Sequence, residues 1–102
     1  MSIREVVQSP IEQGADEIIF YQITTTPWAS SPSSPTVQVF DLSDELDVTS
    51  TVMPSGSASV ASDVITLPAL RALTSGEDYR VEVKFVAEGN TWEAFFVVKC
   101  RL

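Results

Sequence analysis

The chain has no histidine, a single cysteine, four glycines and only six lysines and arginines. Each shortage removes a class of function. Without histidine, the commonest general base near neutral pH and the commonest metal ligand are both missing. Cys100 has no partner for an internal disulfide and no neighbouring base to activate it as a nucleophile, so it reads as a structural thiol facing inward from the last strand. There is no glycine-rich phosphate loop, no Gly-x-Ser-x-Gly elbow and no cysteine cluster at metal spacing. No catalytic constellation assembles from the residue types and spacings present, and the expectation is a protein that is not an enzyme and takes no cofactor or metal.

Positive charge is scarce as well. Six basic residues against fourteen acidic ones leave a net charge of -8, which repels nucleic-acid phosphates and anionic lipid headgroups. Neither nucleic acid nor membrane is expected as a partner. No run approaches the roughly 20 apolar residues of a membrane span. The opening stretch MSIREVVQSPIEQG carries acids where a secretory signal needs an apolar segment. With one unpaired cysteine, these features predict folding in a reducing, intracellular compartment. A length of 102 residues with 44% hydrophobic content predicts one domain spanning 1–102.

What the sequence does have is alternation with period two, while the helical period is nearly absent, so the domain is expected to be all-β. Strands are predicted over 3–7, 17–25, 37–42, 48–53, 57–60 and 64–67, then over the two long runs flanking Gly89-Asn90. The stretch TPWASSPSSPT, with three prolines and four serines, predicts a loop over 26–36. The leucines spaced three apart at Leu67, Leu70 and Leu73 predict one helical turn. A turn at Gly89-Asn90 would set Phe85 opposite Ala94, Val83 opposite Phe96, Val81 opposite Val98 and Tyr79 opposite Cys100. Seven or eight short antiparallel strands at this spacing favour a β-sandwich.

The segment LTSGEDYRV, from Leu73 through Gly76 to Tyr79 and Val81, resembles the tyrosine corner of immunoglobulin and fibronectin type III sandwiches, with Ser75 where proline is common. The resemblance implies that the Tyr79 hydroxyl bonds to backbone a few residues upstream and pins the crossing between sheets. The alternative is that Tyr79 is a core aromatic with its hydroxyl at the rim. More broadly, Trp28 with its Ser/Pro loop, SPTVQVFDLSD, GSASVASDVITLPAL and the terminal EGNTWEAFFVVKC resemble small β-sandwich structural proteins of tailed bacteriophages and prophages. That resemblance implies a non-enzymatic virion or assembly protein near the head–tail junction or the tail. Such a protein is made in the bacterial cytoplasm and contacts other protein subunits, itself or virion proteins. The alternative is a stand-alone fibronectin-like module that recognises a protein or a glycan through its loops.

Candidate contact residues follow from the pattern. With Tyr79, Val81, Val83, Phe85, Ala94, Phe96 and Val98 assigned inward, Phe95 and Val97 must point to the opposite face. There they are either covered by the N-terminal segment or the Leu70 turn, or form the centre of a docking patch. Trp28 is either a plug over one end of the core or a ligand-stacking residue. The acidic run Asp41, Asp44, Glu45 and Asp47 is expected to be a solvated turn rather than a calcium loop, because it lacks the glycine such a loop needs.

Overall fold

The structure, a computed structural model, describes residues 3–5, 11–25, 30–54 and 56–101. Its strands are β1 (Ile3–Glu5), β2 (Ile11–Gln13), β3 (Gln22–Thr24), β4 (Ser33–Asp41), β5 (Leu46–Asp47), β6 (Ser59–Ala61), β7 (Val64–Thr66), β8 (Asp78–Ala87) and β9 (Asn90–Cys100). A single helical turn, α1 (Thr49–Val52), follows β5 among the described residues. They form two sheets, one in the order β1-β9-β8-β4-β5 with β2 also on β9, the other in the order β3-β7-β6. The architecture is all-β and sandwich-like.

The two long strands carry most of the core. Along β8, Tyr79, Val81, Val83, Phe85 and Ala87 are buried, and along β9 so are Ala94, Phe96, Val98 and Cys100. This is the period-two pattern of a sheet with one face on the core. The small sheet supplies Ile23 and Ile65, which sit opposite each other. Leu67, Leu70 and Leu73 close the same layer from the long connection between β7 and β8. The ring of Tyr21 meets that of Phe96 at a centroid distance of 5.3 Å and an angle of 56°, a tilted aromatic pair.

Several expectations are corrected here. Nine strands are present among the described residues, and β1 and β2 run parallel to β9 rather than antiparallel. A short strand near the chain start can reach a sheet edge from either direction, so alternation alone does not set its sense. The segment 48–53, expected as a strand, holds α1 instead. The Asp47 carboxylate accepts the Thr49 amide at 2.9 Å and its hydroxyl at 2.6 Å, bending the chain at that point. The turn buries both Val52 and Met53, which a strand would point to opposite faces.

The leucine-rich segment is the converse case. No helical turn forms over 67–73; Leu67 and Leu70 bond to the segment before β3, the Arg71 amide donates to the Val52 carbonyl at 2.9 Å, and Ala72 has a positive φ of 58°. Leu67 donates to the Tyr21 carbonyl at 2.9 Å, while Leu70 and Ile19 exchange bonds of 2.8 and 3.1 Å. The three leucines are all buried because the segment threads the end of the core, not because they share a helical face. The Ser/Pro loop is also shorter than expected, since β4 begins at Ser33. The ladder to β8 shifts register between Ser33 and Thr36, and Pro35 lies within that irregularity, where its missing amide costs no regular bond.

The last hairpin turns at Glu88-Gly89, not Gly89-Asn90. Both central residues have positive φ, 53° and 78°, as a tight two-residue hairpin turn of the primed kind requires. Phe85 therefore faces Trp92, Val83 faces Ala94, Val81 faces Phe96 and Tyr79 faces Val98. The slip from the expected pairing is two residues on β9. A two-residue slip leaves every side chain on its own face, which is why the inward set survives the correction.

Candidate functional site

The tyrosine corner stands at the start of β8. Tyr79 is 2% exposed, and its hydroxyl accepts the Thr74 amide at 2.8 Å. Leu73 is buried beside it, and Gly76 has φ of 91°, a conformation that side chains rarely adopt. The Gly76 amide donates to the Cys100 carbonyl at 2.8 Å, and the Cys100 amide to Glu77 at 2.9 Å, so the corner is tied to the end of β9. Burial, the main cause, pushes the Cys100 thiol up, so the nucleophilic thiolate is disfavoured. This corner is architecture, not chemistry.

A second buried polar group crosses between the sheets. Gln13 on β2 is 1% exposed; its side-chain amide donates to the carbonyls of Leu70 at 2.8 Å and Glu17 at 3.0 Å. Its oxygen accepts the Tyr21 hydroxyl at 2.8 Å. Burial first, and the negative charge of Glu17 second, push the Tyr21 phenol up to about 12. Nothing in the sequence pattern marks Gln13, since a lone glutamine in a three-residue strand is indistinguishable from a surface residue.

The acidic loop binds itself. Asp41 accepts the amide and hydroxyl of Ser43 at 2.9 and 2.8 Å, and that hydroxyl also lies 3.1 Å from Glu77. Burial alone would raise the Asp41 carboxyl, but the hydrogen bonds from Ser43, together with the contact to Glu77, outweigh it and hold it below the ordinary aspartate value. Asp44 accepts the Leu46 amide at 3.1 Å, and Asp47 is held low by the Thr49 hydroxyl and amide. Among the described residues no group of three or more potential ligands is placed to hold a metal ion.

Two surfaces remain as candidates for contact. The first is the outward face of the large sheet. Phe95 and Val97 are half-buried there, opposite Glu82 and Arg80. Arg80 pairs with Glu82 at 2.7 Å and lies 5.5 Å from the centre of the Phe40 ring. The Leu70 segment does not cover these two side chains, because it is bonded to Ile19, in the stretch leading into β3 of the other sheet. β1 and β2 flank β9 within its sheet. Trp28 lies outside the described residues.

The second surface was not anticipated as a contact. Ile18 is 51% and Phe20 67% exposed, on a shallow groove of about 410 Å³ that also borders Gly56, Ser57, Pro68 and Arg71. The signal was the two-sided apolarity of EIIFYQITT, which suggests a strand covered on both sides. The structure covers only the side of Tyr21 and Ile23. No helix among the described residues is long and apolar enough to cross a membrane. Compared with known proteins, the chain matches no family model, no curated protein and no solved structure.

Proposed function

We propose that this protein is a non-enzymatic structural or assembly protein of a tailed phage or prophage particle, built on an immunoglobulin- or fibronectin type III-like sandwich and acting through protein–protein contacts. The fold part of this reading is supported by the strand order, β9-β8-β4-β5 against β3-β7-β6, and by the Tyr79 bond at the start of β8. The assembly part is carried by one observation: the core closes without Ile18 and Phe20, which stand 51% and 67% exposed side by side on one groove. Large apolar groups left in water mark surfaces that another protein covers. The particle is inferred from the resemblance of the Ser/Pro loop and the terminal hairpin segment to phage structural proteins.

The test is incorporation. After induction of a prophage carrying the gene, the protein should band with purified particles rather than remain in the soluble fraction. Phe95→Lys should keep the wild-type circular dichroism spectrum and lose that association, because the face of Phe95 and Val97 would then present a charge to the neighbouring subunit. Absence of the wild-type protein from particles would overturn the reading. A folded Phe95→Lys variant that still incorporates would remove the hairpin face as the contact.

A further inference from the structure

Among the described residues, the segment from Ile18 to Thr24 has no backbone partner along one side, and it is apolar on one face. Its odd-numbered residues bond toward β7 and its continuation: Ile19 exchanges bonds with Leu70, Tyr21 accepts from Leu67, and Thr25 donates to Asp63 at 2.8 Å. In an antiparallel pair the intervening residues turn their backbone groups the other way. Residues 18, 20, 22 and 24 thus direct their amides and carbonyls away from β7, and β3 is the last strand of its sheet. The backbone groups of Ile18 and Phe20 bond to no other described residue. An unpaired strand edge beside an apolar groove supplies both elements that an added strand uses, main-chain bonds for affinity and a seat for alternate side chains.

Charge narrows the choice of occupant. No lysine or arginine occurs between Arg4 and Arg71, a stretch that holds nine of the fourteen acidic residues. Asp16 and Glu17 immediately precede Ile18, whereas Asp63 pairs with Thr25 from the β7 side and its carboxylate already accepts the Ser31 amide at 3.0 Å. Among the described residues, Arg71 is the base that lines the groove; Arg4, Arg80, Lys84 and Lys99 lie on the large sheet and Arg101 pairs with Asp78. A second copy would bring its own acids to this edge, whereas a basic segment meets complementary charge at the Ile18 end.

We propose that the open edge from Ile18 to Thr24 binds an extended cationic segment of a partner protein, which adds as a further strand and lays an apolar side chain over Ile18 and Phe20. This inference rests on the reading that the protein works through protein contacts, and it names a surface and a partner chemistry for one of them.

The experiment uses the full chain, isotopically labelled, titrated with the synthetic peptide Lys-Val-Thr-Val-Thr-Val-Lys and separately with Glu-Val-Thr-Val-Thr-Val-Glu. The cationic peptide should shift the amides of Phe20, Gln22 and Thr24 saturably. The acidic one should bind about tenfold more weakly at low salt, with the difference shrinking as salt screens the charges. Phe20→Ser, and independently Ile18→Thr, should weaken the cationic peptide about tenfold while leaving the circular dichroism spectrum unchanged. Three results would overturn the proposal: no saturable shift up to millimolar peptide, shifts centred on other elements, or equal affinity for the two peptides. A monomer–dimer equilibrium that Phe20→Ser abolishes would also overturn it, by assigning the edge to a second copy. Failure of peptide binding leaves particle incorporation untouched, so the two readings fall separately.

Discussion

Replacing Gln13 with methionine keeps the side chain's length and volume and removes only its amide. Three hydrogen bonds are lost, to Leu70, Glu17 and Tyr21, but they do not count equally. The Glu17 carbonyl belongs to an exposed turn residue, and water replaces its partner at little cost. The Leu70 carbonyl keeps the Ile19 amide at 3.1 Å and loses its second donor. The half-buried Tyr21 hydroxyl loses its acceptor outright. At about 1 kcal/mol for each of the two losses that matter, with a further fraction for the stranded hydroxyl, the expected destabilisation is roughly 2–3 kcal/mol. For a domain of this size that is a fall of roughly 10–15 °C in Tm. Urea denaturation should show a lower midpoint with an unchanged slope, since the surface exposed on unfolding is the same. Tyr21→Phe removes one of the same bonds, so the double variant should fall short of additivity by about 1 kcal/mol. A loss below about 0.5 kcal/mol, or a strictly additive cycle, would refute the claim that Gln13 fastens β2 to the opposite sheet.

Two further outcomes are expected. Tyr79→Phe leaves the Thr74 amide without its acceptor and should cost about 1 kcal/mol with the fold intact; an unchanged denaturation midpoint would remove the corner from this account. In that same variant background, Tyr21 should ionise up to about 12 against 10.0 for an unperturbed phenol, as followed by ultraviolet absorbance. The folded state retains the proton longer than the unfolded one. The stability Tyr21 contributes is therefore full below pH 10 and is lost as pH rises toward 12. Ionisation of Tyr21 near 10 would show that its hydroxyl is not held as described.

The class of the fold was legible in the residues because alternation is a property of neighbours along one strand. Tyr79, Val81, Val83 and Phe85 point inward whichever partner they meet, and a two-residue slip of β9 changes the partners without changing the face. The corner was legible for the same reason: Leu73, Gly76 and Tyr79 lie within one short turn, and the Thr74 amide they position is five residues from the ring. Cys100 was placed inward by its parity with Phe96 and Val98.

Tertiary structure decided whatever depended on distant segments. Val48 to Met53 carries a strand-like pattern, yet the chain turns there because Asp47 captures Thr49 and the core has room for both Val52 and Met53. The spaced leucines of 67–73 are compatible with a helical turn, yet Tyr21 and Ile19 offer their backbones to Leu67 and Leu70 and no helical turn forms. Gln13 became structural only when β2 was laid along β9 with its amide aimed at Leu70 and Tyr21, residues far along the chain or on the other sheet. Phe20 shows the limit most plainly. Its apolarity was visible in the sequence, but exposure is a relation between a residue and everything that fails to cover it, and no local pattern encodes that.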